Sequence, residues 1–186
     1  MTQDIELKFS GDIPKLMVGL SWDHNEKKQG VLDESVVPHN LDLSCVVLGQ
    51  GFQVKDILSP RDPKRDVYKN QIFHMGDHLT GGSDYEDEEI QVNFENLNAD
   101  IAGLAFVVSS NDRVKFADVA NGKCEFCDAA SLQPFMSVEF QTAEKPHYLV
   151  GVVVKNDQGV WALQNAQSEL IALDPTVLED ALRSAA

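Results

Sequence analysis

Long hydrophobic runs are missing from this 186-residue sequence. No stretch approaches the roughly 20 apolar residues that a membrane helix needs. The opening MTQDIELKFSGD has neither the basic start nor the apolar centre of a signal peptide. Cysteine is scarce and odd in number, at three, which fits a reducing compartment better than a disulfide framework, so the cytoplasm is the expected location. Positive charge is the third shortage. Fifteen Lys and Arg stand against 30 Asp and Glu, a net charge of −15. The long-range field is therefore repulsive toward nucleic acid and toward anionic lipid on its own. Catalytic signatures are lacking too: there is no GxSxG, HExxH, P-loop or dinucleotide fingerprint. His24, His39 and His147 stand alone and read as surface or loop residues, and no enzyme activity is expected.

What is present is period-2 patterning rich in β-branched residues. It predicts strands at 5–9, 16–22, 41–48, 68–74, 89–94, 103–109, 137–141, 148–155 and 159–163. VVVKNDQGVWAL carries Asn156 to Gly159 between two apolar runs and reads as a hairpin with a glycine at its turn. SPRDPKRD (59–66) reads as an exposed loop, and 114–121 as one or two helical turns ended by Gly122. One clear helix is terminal, with Asp174 as cap, Pro175 at the first helical position and an apolar stripe of Val177, Leu178, Ala181 and Leu182. Short strands punctuated by turns, without βα alternation, point to an all-β, two-sheet β-sandwich. With no repeat and no long linker, residues 1–186 read as a single domain, with about 172–186 a helical extension.

The chemistry-bearing stretch is GDHLTGGSDYEDEEIQV, Gly76 to Val92. It supplies Asp77, Asp84, Glu86, Asp87, Glu88 and Glu89, with no basic residue between Asp77 and Glu89. Gly76, Gly81 and Gly82 permit the positive φ that a chain folding back to aim oxygens inward often needs. Calcium takes about six to eight oxygen ligands. An EF-hand frame fails, because Glu89 occupies the position that requires glycine and the flanks read as strands. Ligands would then have to come from more than one loop. Asn40 and Asp42, one residue apart in PHNLDLSCVVL, point to the same side of a strand, and Asp23 follows the strand VGLSW. On composition alone two readings stand: a metal site, or a solvated acidic loop.

Three ordered motifs carry a resemblance. VGLSWD (18–23), NLDLS (40–44) and HMGDHLTGGSDYEDEEIQV (74–92) are similar to the motifs of the TerD family, the bacterial tellurium-resistance and stress-response proteins that include calcium-binding members. FVVS (106–109) and the closing hairpin fit the same layout. The resemblance implies a β-sandwich with calcium-binding loops at one end, one or two Ca2+ ions, and a role in resistance to tellurite and other chemical stress. It further implies protein partners in a stress-response complex near the membrane. Motif by motif it places Asp77 on the first aspartate of the third motif, and Glu86, Asp87 and Glu88 on its DDE. Asp42 falls on the second aspartate of DLD. Asn40, Asp23 and Asp84 complete the candidate ligand set. Departures from the pattern are Asn40 for aspartate, His78 for asparagine, and Ser83 and Tyr85 for glycines, with Glu86 one methylene longer. Lower ligand charge weakens calcium affinity.

Two rivals remain. One is a metal-independent acidic scaffold of the same fold that meets basic partners. The other is a zinc or thiol-redox protein using Cys124 and Cys127, although their alternation with Phe126 reads as strand and favours structural cysteines.

Overall fold

The computed structural model describes residues 4–23, 39–77, 81, 86–111, 115–156 and 158–185. Among these, twelve strands and one α-helix are formed. The first sheet is built from β1 (Ile5–Glu6), β3 (Leu41–Leu48), β4 (Val54–Leu58), β7 (Gly103–Ser110), β10 (His147–Lys155), β11 (Trp161–Gln164) and β12 (Ser168–Leu170). Its order is β1-β11-β10-β7-β3-β4, with β12 also paired to β10. The second sheet holds β2 (Lys15–Ser21), β5 (Ile72–His74), β6 (Glu88–Asn93), β8 (Lys123–Asp128) and β9 (Pro134–Glu139), ordered β5-β6-β2-β8-β9. Every named pairing is antiparallel. The fold is the all-β, two-sheet arrangement expected from the patterning.

The inner faces share one core. Leu41, Leu43, Cys45 and Val47 of β3 meet Leu16, Val18 and Leu20 of β2 and Ile90 and Val92 of β6 within it. Phe106 and Phe126, from opposite sheets, sit edge to face with ring centroids 5.4 Å apart, a favoured aromatic geometry. β3 and β7 are buried along their whole length, because the outer face of their sheet is covered as well. Val46, Leu48, Ala105, Val107, Leu149 and Val152 pack there against Leu178 and Leu182 of α1 (Pro175–Ala185). Asp174 Oδ1 accepts the Val177 N–H at 3.1 Å and caps this helix as anticipated. Glu179 Oε1 accepts the Val54 N–H of edge strand β4 at 2.9 Å. No helix among the described residues is long and apolar enough to cross a membrane.

Local departures from the sequence reading have local causes. The strand expected over 68–74 is confined to Ile72–His74. Lys64 and Asn70 take positive φ (48° and 61°), and the Tyr68 and Ile72 N–H groups bond four residues back, so the chain turns before it extends. The expected turns before Gly122 are a single 3-10 turn at Phe116–Asp118. The closing hairpin forms between β10 and β11, with Gly159 at φ +76° and the Asn156 N–H bonded to the Val160 carbonyl at 2.9 Å.

Candidate metal centre

β4 pairs with β3 only from Cys45 onward. Leu43 would therefore present a backbone N–H and C=O with no strand beside them, and buried backbone polar groups need partners. Side chains of the second sheet supply them. Glu88 Oε2, at the start of β6, accepts the Leu43 N–H at 2.6 Å. His74 Nε2, at the end of β5, donates to the Leu43 carbonyl at 2.8 Å. The Gly76 N–H donates to His74 Nδ1 at 3.2 Å. A carbonyl acceptor on one ring nitrogen and an N–H donor on the other define a neutral imidazole with its proton on Nε2. Burial lowers the His74 pKa in the same direction. Both nitrogens being occupied, His74 is a strut between the sheets and offers no lone pair to a metal.

That strut brings three carboxylates together. One oxygen each from Asp42, Asp77 and Glu88 lie within 4.8 Å of one another. Asp42 and Glu88 are buried and Asp77 is exposed. At this separation each pair of like charges repels by between about 1 and 3.5 kcal/mol, for effective dielectric constants of about 80 and 20. A cation would turn that repulsion into attraction. The donors are all hard oxygens, the chemistry of Ca2+ and Mg2+ rather than of zinc. Asn40 adds an orphaned atom two residues before Asp42: it is nine-tenths buried, and its Oδ1 has no hydrogen-bond partner among the described residues. These residues fit a hard divalent cation of that kind, Ca2+ among them.

Trp22, the penultimate residue of the first motif, holds the surrounding segments in place. Its backbone N–H donates to Asp87 Oδ2 at 2.9 Å, and the Asp87 N–H returns a bond to the Leu20 carbonyl. Its indole N–H donates to the His39 carbonyl at 3.0 Å, just ahead of Asn40 and Asp42. Gly81 rests against the indole: a Cβ there would lie 2.3 Å from Nε1, and φ is +69°. The first and third motifs and the residue just before the second thus meet on one buried tryptophan.

The eight candidate ligands consequently separate. Asp42, Asp77 and Glu88 converge, with Asn40 close in sequence. Asp87 is engaged with the Trp22 backbone. Glu86 lies across Gly19 on the outer face of the second sheet, where a Cβ on that glycine would be 2.6 Å from its Cγ and Cδ. Burial raises the Glu86 pKa, and Glu125 raises it further. Asp23 Oδ2 accepts from Asn121 Nδ2 at 2.6 Å, tying it to the turn before β8. Asp84, with His78, Thr80, Ser83 and Tyr85, lies outside the described residues. Sequence reasoning missed His74 as a strut and Trp22 as the anchor of the loops. Their signals were only positional, each lying inside a motif next to a candidate ligand.

The cysteine pair does not converge. Cys124 faces the shared core and Cys127, three residues on in the same strand, faces away from it. All three cysteines are free and buried. Desolvation pushes the Cys127 thiol up to about 11 and raises Cys45 and Cys124 as well, opposite to the lowered pKa of a reactive thiol.

Comparison with known proteins identifies the family and the fold. Residues 2–168 match the TerD domain family. The tellurium resistance protein TerZ of Serratia marcescens is 35% identical over 127 residues, covering 65% of this chain and 63% of TerZ. General stress protein 16U of Bacillus subtilis is 29% identical over 118 residues, covering 59% of this chain and 55% of that protein. The alignments thus span less than two thirds of either relative. A crystal structure of a homologue of the telluride resistance protein TerD from Streptomyces coelicolor superposes with a TM-score of 0.70 at 18% identity, covering 90% of this chain and 95% of that one, which speaks to the fold. The chain belongs to the TerD family of tellurium-resistance and stress-response proteins.

Proposed function

We propose that this protein is a calcium-dependent, non-enzymatic interaction module of the cytoplasmic stress response. The observation that carries the reading is the convergence of Asp42, Asp77 and Glu88 at one end of the sandwich. Two of the three sit on strands braced by His74 and the Leu43 backbone, so the ligand frame is pre-organised, while Asp77 is contributed by the loop. An ion shared between strand and loop carboxylates would draw the loop against the sheet ends. It would also neutralise part of the acidic surface, changing what a protein partner meets there. Glu86 and Asp23 are held elsewhere, which favours one ion at this cluster.

Thermal melts of the full chain with Ca2+, Mg2+, Zn2+ or chelator test the proposal. Saturation at about a hundredfold above Kd adds roughly 2.7 kcal/mol by mass action. For a chain of this size that raises the midpoint by about 5–11 °C. Tryptophan fluorescence of a Trp161→Phe variant, which reports from Trp22 alone, should change in step with calcium. Absence of both responses at millimolar calcium overturns the reading, and a response to zinc alone does so as well.

A further inference from the structure

The helix covers the first sheet, whereas the outer face of the second sheet carries a shallow open cavity of about 300 Å3. It is lined by Asn70, Gln71, Phe73, Gln91, Asn93 and Asn96 together with Lys15. The strand register explains the grouping. Lys15 of β2 pairs with Asn93 of β6, whose N–H bonds to the Gln71 carbonyl, and Gln91 pairs with Phe73 of β5. These side chains share one face of three neighbouring strands.

Five lining residues carry amide side chains, and four of these amides are tied at one end. Gln71 Oε1 accepts the Asn98 N–H at 2.9 Å. Asn93 Oδ1 accepts the Glu95 N–H at 3.1 Å. Asn96 Nδ2 donates to the Asn70 carbonyl at 3.1 Å. Gln91 Nε2 donates to Glu89 Oε1 at 2.6 Å. Each partner dictates which way its amide is turned. The opposite ends carry no hydrogen bond among the described residues: two donors (Gln71 Nε2, Asn93 Nδ2) and two acceptors (Gln91 Oε1, Asn96 Oδ1). Each bond biases its amide toward one orientation, which reduces the rotamer entropy left to lose on binding. Between them Phe73 keeps 46% of its surface exposed, although Arg65 sits over its ring at 5.3 Å.

We infer that this cavity is a binding site for a neutral saccharide unit. A pyranose carries neighbouring hydroxyls that both donate and accept, matching two oriented donors and two oriented acceptors. Its C–H face suits a flat apolar ring. The volume lies at the lower limit of small-molecule sites, about 300–1,000 Å3, enough for one unit of an open-ended chain. Lys15 is the one cation in the lining, and the net charge of −15 opposes phosphorylated ligands at long range. This site is independent of the carboxylate cluster.

The test is titration of the isotopically labelled full chain with cellobiose, maltose, lactose and N,N′-diacetylchitobiose, followed by amide NMR shifts and saturation transfer to the sugar. At least one disaccharide should bind saturably in the millimolar range, with shifts concentrated at Gln71, Phe73, Gln91 and Asn93. Gln91→Ala and Asn93→Ala, each removing an oriented hydrogen bond, should weaken that binding by about fivefold to tenfold. Phe73→Ala should weaken it further. The two amide variants, whose spectra elsewhere should overlay the wild type, carry the test if Phe73→Ala does not fold. Chelator should leave the affinity unchanged. Failure of all four sugars to produce saturable shifts overturns the inference, as does equal binding by the Gln91→Ala and Asn93→Ala variants. Tighter binding of uridine, used as a nucleobase control, also overturns it.

Discussion

Replacing Glu88 by glutamine and by alanine separates two roles that one carboxylate combines. Its Oε2 accepts the buried Leu43 N–H at 2.6 Å, and the group stands within 4.8 Å of oxygens of Asp42 and Asp77. Glu88→Gln keeps an acceptor for Leu43 but exchanges a charge-assisted bond for a neutral one, at a cost of about 1 kcal/mol. It also removes two of the three like-charge pairs in the cluster, each worth at least about 1 kcal/mol. The calcium-free midpoint should therefore rise above wild type, by about 2–4 °C at the lower end of that repulsion. Glu88→Ala relieves the same repulsion but leaves the Leu43 N–H buried and unpaired, costing about 1–3 kcal/mol, and adds a void. Its calcium-free midpoint should fall below that of Glu88→Gln by about 3–10 °C. Both variants should lose most of the calcium-induced rise. Differential scanning calorimetry in chelator and in saturating calcium measures all of these quantities together. A full calcium shift in Glu88→Gln would refute the ligand role, and equal calcium-free midpoints for the two variants would refute the strut.

Gly81→Ala should destabilise the fold by about 1–3 kcal/mol, because a Cβ would strike the Trp22 indole at a φ of +69°. Near-UV circular dichroism of Trp22, read in a Trp161→Phe background, should weaken with it, and an unchanged spectrum and midpoint would remove the anchoring role assigned to that contact. Asp128 is held well below the usual carboxylate range, at about 2, by hydrogen bonds from Ser10 and Ser131. Its folded pKa is depressed, so its contribution is fully present above about pH 3.9 and disappears as pH falls through about 2. Asp128→Asn should cost about 1–2 kcal/mol in urea unfolding at neutral pH and progressively less toward pH 2. A cost independent of pH would contradict this assignment.

Legibility of the fold followed burial. β3 occupies Leu41–Leu48 as the sequence indicates, because unbroken apolar character is what a strand buried on both faces needs. β4, VKDIL, escaped notice: it is an edge strand with a bulge opposite Val47 and Leu48, and its half-exposed residues show no clean alternation. β12 has only three residues, too few to display a period. The terminal helix was readable because Asp174, Pro175 and the Leu178/Leu182 spacing all act within a few residues.

For the site, sequence alone determined the inventory: an acidic, glycine-bearing turn, a carboxylate at the start of a distant strand, and motifs arranged as in the TerD family. It could not separate Glu86, Asp87 and Glu88, which are consecutive and chemically alike. The tertiary structure assigns each a different environment. Pleating turns Glu88 inward toward Leu43, Asp87 closes on the Trp22 backbone, and Glu86 lies over Gly19 on the opposite face. It also decided that Asp42 and Glu88, 46 residues apart by number, become neighbours. The physical reason lies in the backbone. β4 stops pairing at Cys45, leaving a buried donor and acceptor on Leu43 without a strand partner, and the second sheet's His74 and Glu88 come to that spot to satisfy them.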